Sequence, residues 1–277
     1  MFKIIEKREL APKIKLFKIS APEIARKAQP GQFIILRVRK EGERIPLTIA
    51  DYDREKGTIT FVFQEVGRTT KQLGKFNEGD EIPDVLGPLG RPAEIEKFGK
   101  VVCIGIGVFA APMALQARAF KEKGNYVIGV NIARRKDLII FEDEFRAACD
   151  EFYISTDDGS RGYQGIEFLK EILERGVDRV VVFGLVPAQK QICELTKPYG
   201  VKTVVDLMPI MVDGMGMCGT CRVTVGGETK FACVDGPEFD GHQVDFDELE
   251  RRKRTYLVHE KVAHMMHKRL GTGVLRV

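Results

Sequence analysis

Short runs in which apolar and polar residues alternate fill the first 97 or so residues. Lys3–Arg8, Ile14–Ser20, Gln32–Arg39, Leu47–Tyr52, Thr58–Phe63 and Asp80–Val85 read as strands. Pro30-Gly31, Glu41-Gly42, Glu55-Lys56-Gly57 and Gly87-Pro88 punctuate them. Many short strands with turn signals at this spacing predict a small antiparallel barrel. One helical insertion is expected at Thr70–Phe76. The pattern changes at Lys100. Val101–Ile104 is a continuous apolar run, followed by a glycine-rich turn and a helical segment to Lys123. Strand patterns at Tyr126–Ile132, Glu151–Ser155, Arg179–Phe183 and Thr203–Leu207 then alternate with helical ones at Glu142–Cys149, Ile166–Arg175 and Ala188–Lys197. Buried strands alternating with helices predict a parallel, doubly wound sheet.

Both periods fade from Met208, where Gly214, Gly216 and Gly219 interleave with Met215, Met217 and Cys218, as in a loop wrapped around something. A charged helix is expected from Asp245 to Leu270, with Leu249, Tyr256, Val262, Met266 and Leu270 along one side. The expected organisation is a barrel at 1–98, an α/β domain at 99–207, a loop segment at 208–245 and a terminal helix at 246–277.

Composition narrows the function classes. The 277 residues are 44% hydrophobic and 30% charged, enough for more than one packed core and unlike a disordered chain. A net charge of +4 is too balanced for a general nucleic-acid binder, which needs a concentrated basic face. Met1–Lys15 has no apolar export segment, and the longest uncharged stretch, Val101–Ala117, is shorter than the ~20 residues of a spanning helix. A cytosolic location without membrane contact is the expectation.

Three segments carry candidate chemistry on the first two domains. Gly105-Ile-Gly107-Val-Phe-Ala110 follows a strand and opens a helix, the context in which a glycine-rich turn admits a pyrophosphate. A tight strand–helix turn without a ligand is the other reading. The acidic residue usual after the second strand is absent; Asn131 and Ala133 stand there. Arg44-Ile-Pro46-Leu47-Thr48 enters a barrel strand, where an Arg and a Thr suit a phosphate and a ring edge; a plain edge-strand entry fits too. Asp157-Asp158-Gly159-Ser160 follows the third strand of the sheet, at the edge where α/β ligands bind. Paired acids there suit ribose hydroxyls and repel a 2′-phosphate, although an Asp/Gly turn explains them as well.

The C-terminal cysteines are the strongest signal. Asp213-Gly-Met-Gly-Met-Cys218-Gly-Thr-Cys221 is followed, eleven residues on, by Cys233. This matches the plant-type [2Fe–2S] spacing C-x₄-C-x₂-C…C with Asp in the first position. A zinc knuckle is the alternative, but a second cysteine pair is missing and His242 is the single nearby histidine. Cys103, Cys149 and Cys193 read as small core residues.

Barrel, nucleotide-type sheet and iron–sulfur loop together resemble the ferredoxin–NADP reductase superfamily over nearly the whole chain. The sequence is similar to the electron-transfer subunits of bacterial dihydroorotate dehydrogenases, and more so to the small subunits of NADH-dependent ferredoxin:NADP oxidoreductases, also described as sulfide dehydrogenases. The resembling residues are Arg44-Ile-Pro46-Leu47-Thr48, Gly67-Arg-Thr69-Thr70, Gly105-Ile-Gly107 through Pro112, Thr156 through Gly162, and the Asp/Cys loop with Asp235-Gly236-Pro237. The resemblance implies FAD in the first domain, with Arg44 at its phosphates, Pro46, Leu47 and Thr48 along the isoalloxazine, and Gly67, Thr69 and Thr70 at the pyrophosphate. It implies a nicotinamide nucleotide on Gly105, Gly107, Pro112, Asp157, Asp158 and Gly184, and a [2Fe–2S] cluster on Asp213, Cys218, Cys221 and Cys233. The acidic pair favours NAD(H), although Arg134, Arg135 and Lys136 argue the other way.

Two departures stand out. Dihydroorotate-type subunits carry four cysteines, so Asp213 favours the bifurcating-reductase branch, known for one aspartate ligand. The superfamily's C-G-P turn is altered to Phe183-Gly184-Leu185-Val186-Pro187. The implied role is electron transfer between NAD(H), FAD and the cluster, in a heterodimer with a large flavin/iron–sulfur subunit where reduced ferredoxin and NADPH react. The dihydroorotate system is the rival within the class, and a zinc-stabilised nucleotide-binding regulator the rival from another class. Arg251-Arg-Lys-Arg254, Met265, Met266 and His267 suit a partner contact, or simply a solvated helix.

Overall fold

The computed structural model describes residues 1–270. Seven strands form the first sheet: β1 (Phe2–Ala11), β2 (Ile14–Ser20), β3 (Phe33–Arg37), β4 (Arg44–Asp53), β5 (Thr58–Gln64), β6 (Glu81–Ile82) and β7 (Asp84–Leu89). Their order is β6-β1-β2-β5-β4-β3-β7, and every pairing is antiparallel. The two edge strands of that ladder are separated in sequence by Pro83 alone, so the sheet must curl until its edges approach, as a barrel does. The predicted strand at 80–85 is therefore two strands, divided where the chain passes from one edge to the other. Helix α1 (Pro22–Lys27), which the pattern did not suggest, closes one end of the barrel, and α2 (Arg68–Leu73) is the expected insertion. Phe17, Phe61 and Phe63 pack with ring centroids 5.1–6.2 Å apart and fill the interior.

The second sheet contains β8 (Lys100–Ile106), β9 (Tyr126–Ala133), β10 (Glu151–Thr156), β11 (Tyr163–Gln164), β12 (Arg179–Phe183) and β13 (Lys202–Asp206), all parallel. Helices α3 (Ala110–Glu122), α4 (Glu142–Ala147), α5 (Leu169–Glu174) and α6 (Val186–Thr196) lie between them. Strands covered on both faces need apolar residues at successive positions, which is why Val101–Ile104 and Arg179–Phe183 read as unbroken runs.

The segment after Met208 holds more regular structure than its pattern suggests. β14 (Arg222–Val225) and β15 (Glu228–Phe231) form a hairpin, and β16 (Glu238–Asp240) pairs antiparallel with β13 as the seventh strand of the second sheet. These strands are too short for a period to emerge. The expected single terminal helix is two, α7 (Phe246–Lys253) and α8 (Leu257–Leu270), broken at Arg254–Tyr256. Leu249 is buried, as expected, whereas Tyr256 and Val262 are exposed. Met266, His267 and Leu270, assigned to the apolar side or to a partner contact, have side chains outside the described residues. Among the described residues no helix is long and apolar enough to cross a membrane.

The two sheets are fused through α3. Ala110, Ala111, Ala114 and Ala117 share one buried cluster with Val101 and Cys103 of the second sheet and with Leu16, Ala50 and Val62 of the barrel. The small side chains let α3 approach β4 closely, and Arg118 adds an ion pair to Asp51 at 2.7 Å. Ala114→Leu should overpack this shared core and lower stability by about 1–3 kcal/mol in urea denaturation; an unchanged midpoint would show that the two parts do not share it.

Candidate functional site

The carboxyl ends of β8 and β12 lie side by side, with Gly105 opposite Phe183 in the ladder. A Cβ on Gly105 would stand 2.7 Å from the Ala110 Cα, so glycine is what permits the first turn of α3 to pack on the strand. Gly184, one residue beyond β12, is buried against Ile106, and Pro112 is buried within the first turn of α3. Gly105, Gly107, Pro112 and Gly184 thus surround the junction of one strand pair and the start of α3.

Asp157 and Asp158 leave the end of β10. Their amides donate to the Ala133 and Arg134 carbonyls at 3.0 and 3.2 Å, which joins the ends of β9 and β10. Both acids are exposed. Asp158 Oδ1 accepts the Ser160 N–H at 3.0 Å, and hydrogen bonds from the Ser160 hydroxyl and amide hold its carboxyl below the ordinary value. It therefore closes the Asp/Gly turn and remains open to a ligand. Asn131, where an acid is usual, donates from Nδ2 to the Ile140 carbonyl at 2.8 Å and is buried. Its place is structural. The sequence reading missed Tyr163, which stacks on Phe168 with centroids 4.3 Å apart and an interplanar angle of 10°, and stays partly exposed beside the acidic loop. A lone tyrosine in a two-residue strand gave no signal for this.

On the barrel, Arg44 is exposed at the start of β4, Pro46 and Leu47 are partly buried, and Thr48 is buried. The Thr69 hydroxyl donates to Glu43 Oε2 at 2.6 Å, which brings the start of α2 beside Arg44. The Thr70 Oγ1 accepts the Gly67 N–H at 3.0 Å, and the same hydroxyl donates to the Gly67 carbonyl at 3.2 Å, half of a capping box, because Gly67 has no side chain to complete it. Both threonine hydroxyls are thus engaged within the chain. Helix α8 passes beside α2, with Leu257, Val258, Val262 and Met265 exposed.

The four predicted metal donors fall into two pairs. Asp213, partly buried, accepts the Met215 N–H on Oδ1 at 2.9 Å and the Cys218 N–H on Oδ2 at 2.5 Å. The Met215 amide, with help from that of Cys218, holds its carboxyl below the ordinary value. Partial burial opposes ionisation of Cys218, but the Thr220 hydroxyl, 3.2 Å from Sγ, and the Thr220 amide outweigh it and hold the thiol low. Cys221 and Cys233 are buried with their sulfurs 3.2 Å apart, and burial pushes the Cys233 thiol up. Among the described residues, no three His, Cys, Asp or Glu side chains converge on one metal ion.

Two donors per metal suit a two-iron cluster. A tetrahedral centre with metal–sulfur bonds of ~2.3 Å separates its thiolates by about 3.8 Å, so the Cys221–Cys233 pair needs only a small opening. Arg222 and Arg252 hold the loop by donating to the Gly219 and Thr220 carbonyls at 2.7 and 3.3 Å. Cys103, Cys149 and Cys193 are buried elsewhere, in β8, at the end of α4 and in α6.

Barrel and cluster loop touch at several places among the described residues, and two of these contacts lie at the strand that carries Pro46 and Thr48 or at its neighbour. The Thr48 hydroxyl lies 3.9 Å from the Met208 sulfur. Gly214, at φ +73°, presses on the barrel so closely that a Cβ would stand 2.7 Å from both the Ile35 and Leu89 Cδ1 atoms. Ile35 is the ladder partner of Pro46.

A barrel joined to a parallel nucleotide-type sheet, with a cysteine loop folded onto both, defines the class: the ferredoxin–NADP reductase fold carrying an iron–sulfur segment. Residues 209–245 match the family model of the iron–sulfur cluster binding domain of dihydroorotate dehydrogenase B. A Thermotoga maritima homologue of the dihydroorotate dehydrogenase B (NAD+) electron transfer subunit is 45% identical, covering 94% of this chain and 93% of its own. The electron transfer subunit from Desulforamulus reducens is 31% identical, covering 87% and 96%. A chain from the structure of an NADH-dependent reduced ferredoxin-NADP oxidoreductase, solved in work on flavin-based electron bifurcation, superposes with a TM-score of 0.91 at 42% identity, over 97% of this chain and 98% of that one. The chain belongs to the family of the dihydroorotate dehydrogenase B electron-transfer subunits and their homologues.

Gly214→Ala should force the loop off β3 and β7. We expect the iron content of the purified protein to fall by more than half while the barrel's thermal transition is retained, measured by iron analysis and calorimetry; unchanged iron would mean that the contact is dispensable.

Proposed function

We propose that this chain is the small subunit of an NADH-dependent ferredoxin:NADP oxidoreductase, carrying electrons between NAD(H), FAD and a [2Fe–2S] cluster. The observation that carries the reading is the meeting of the candidate sites. The Asp/Cys loop packs through Gly214 on the ladder partner of Pro46, and Met208 reaches Thr48. The extensive likeness to a bifurcating reductase chain supports the same reading, as does Asp213 in place of a fourth cysteine.

FAD, when bound, supplies the conversion between two-electron hydride chemistry and one-electron transfer, which neither a nicotinamide nor an iron–sulfur cluster provides. The protein's work is orientation. Arg44 offers charge to the flavin phosphates, and Leu47 and Thr48 offer the strand surface for its ring. Because Thr69 and Thr70 are engaged through their hydroxyls, the start of α2 would meet a pyrophosphate through its amides, and Glu43 must leave Thr69 for the anion to approach. Gly107, with open space where a Cβ would stand, would leave room for the nicotinamide nucleotide, while Gly105 and Gly184 let α3 and Ile106 pack around the same strand ends. Asp157 and Asp158 would accept ribose hydroxyls, and Tyr163 offers a flat face beside them. Asp213 and Cys218 would hold one iron, Cys221 and Cys233 the other. No side chain is needed as acid or base for hydride transfer. The apolar rim of the exposed Val212, Met215, Met217 and Val234 around Cys218 suits contact with a large flavin/iron–sulfur subunit. A cytosolic location fits this role.

The purified protein should show flavin absorption together with broad iron–sulfur bands, and should co-purify with a large flavin/iron–sulfur chain. A colourless protein would overturn the reading, and a dihydroorotate-oxidising partner would move it to the rival system. Asp213→Ala should lose or weaken the cluster while FAD remains, and Asp213→Cys should keep a cluster with an altered EPR spectrum; an unchanged cluster in Asp213→Ala removes Asp213 from the ligand set. NADH should bind more tightly than NADPH in titrations of the flavin band, because Asp157 and Asp158 repel a 2′-phosphate. The exposed Arg134, on the neighbouring strand end, works against this preference, and tighter NADPH binding would show that the basic side dominates.

A further inference from the structure

Two carboxyl groups face each other where the cluster segment joins the second sheet. Asp206 ends β13 and is the ladder partner of Glu238, the first residue of β16. Residues opposite one another on adjacent strands project to the same face, their Cβ atoms about 5 Å apart. Asp206 is 1% exposed, and neither of its carboxylate oxygens has a hydrogen-bond partner. Glu238 accepts one bond, from Gln116 Nε2 of α3 at 2.8 Å, and its Oε1 lies against Gly31 of the barrel. The pair therefore sits where barrel, α3 and both strands meet.

Two carboxylates in this position would be unstable. A buried carboxylate without donors bears the full cost of desolvation, and a second one across the ladder adds repulsion. The remaining charged groups around Glu238 are Arg179 of β12, which is paired with Glu94 of the barrel–sheet connection, Lys202 of β13, which lies 3.7 Å from the same Glu94, Arg91, which is paired with Asp235 at 3.6 Å, and Asp240 of β16 itself. Arg179 already has a carboxylate partner, with its guanidinium 3.6 Å from the centroid of the Phe98 ring, and does not neutralise two more acids. Gln116 Oε1 is a buried acceptor without a donor, so this neighbourhood has acceptors in excess and lacks protons.

We infer that Asp206 and Glu238 form a proton-dependent latch, which must hold a proton for the cluster segment to stay seated on the second sheet. β16 follows Cys233 by five residues and is the strand that ties this segment into the sheet, with the Leu207 N–H donating to the Pro237 carbonyl at 2.9 Å beside it. Charging both acids pushes β16 from β13 at that point. Burial moves Glu238 up to about 7 and raises Asp206 well above the ordinary carboxylate value, with Glu238 adding to the effect.

The sign follows from linkage. The folded state holds protons that the unfolded chain has released, so the latch is strongest below the ordinary carboxylate range, near pH ~4. It weakens as pH rises through the folded-state values.

Hydrogen exchange on the full chain with its cofactors bound tests the latch, comparing protection in peptides covering 204–207 and 238–240 with protection in β9. From about pH 6 to about pH 9, the wild-type ratio should fall, by up to about tenfold per pH unit where one proton is lost. Asp206→Asn should flatten the fall, and Asp206→Asn/Glu238→Gln should remove it. Should the double variant fail to fold, Glu238→Gln alone must flatten it. A wild-type ratio that ignores pH, or variants that keep the wild-type slope, would overturn the latch.

Discussion

The contact of Gly214 with Ile35 and Leu89 is the constraint on which the arrangement turns. It brings a metal-type loop from the end of the chain onto the strand beside Pro46 and Leu47, at the other end of the chain. Any side chain at that position would open a gap between them. Electron transfer weakens steeply with distance, so the closeness of this contact sets how well the proposed cluster and flavin communicate. Met208 adds a second tie, because it leaves β13 toward Thr48. The loop is thereby fixed against both the barrel and the second sheet.

Helix α3 fixes the remaining relation. Its first turn closes on Gly105, and its alanine-lined face is buried in a core shared with β4 and the second sheet. One rigid element thus relates the glycine turn, where a nicotinamide nucleotide is expected, to the strand that begins with Arg44. Protein cores pack densely and resist small displacements. A hinge between barrel and sheet would have to break this core, so substrate exchange is better served by the exposed loop at Asp157 and Asp158 than by movement of whole domains.

The sequence showed most of the barrel and sheet because their strands are long enough to carry a period. Ile14–Ser20 and Arg179–Phe183 match the observed strands residue for residue. It did not show β14, β15 and β16, which are three or four residues long and take their place from Cys233, Pro237 and the free edge of β13 rather than from their own pattern. The break between α7 and α8 was hidden for another reason, since Arg254-Thr255-Tyr256 contains neither glycine nor proline. Spacing alone proposed Asp213, Cys218, Cys221 and Cys233 as one set, and the structure shows them as two pairs. The roles of Tyr163, Met208 and Glu238 depend on partners distant in sequence, and no local signal encodes those. The threonines at 69 and 70 fall between these cases: the motif pointed to the start of α2, while Glu43 and the Gly67 backbone occupy their hydroxyls.

The donor pairs differ in environment as well as in chemistry. Cys221 and Cys233 belong to the buried cluster that includes Phe33 and Ile35 of the barrel. Asp213 and Cys218 lie toward solvent, beside Met215 and Met217. A two-iron cluster held by these residues would have one iron on the donors nearer the protein interior and one on those nearer the surface. The inner thiolates are poorly solvated, which disfavours added negative charge on that side. The outer pair is stabilised by backbone amides and the Thr220 hydroxyl, so charge is better tolerated there. The carboxylate stands in the outer pair, where its oxygens have amides to bind and water nearby. In the inner pair it would face the same donor-poor interior that leaves the Asp206 oxygens unpartnered. If Asp213 is the fourth ligand, its place among the three cysteines would follow from which half of the loop can solvate a carboxylate.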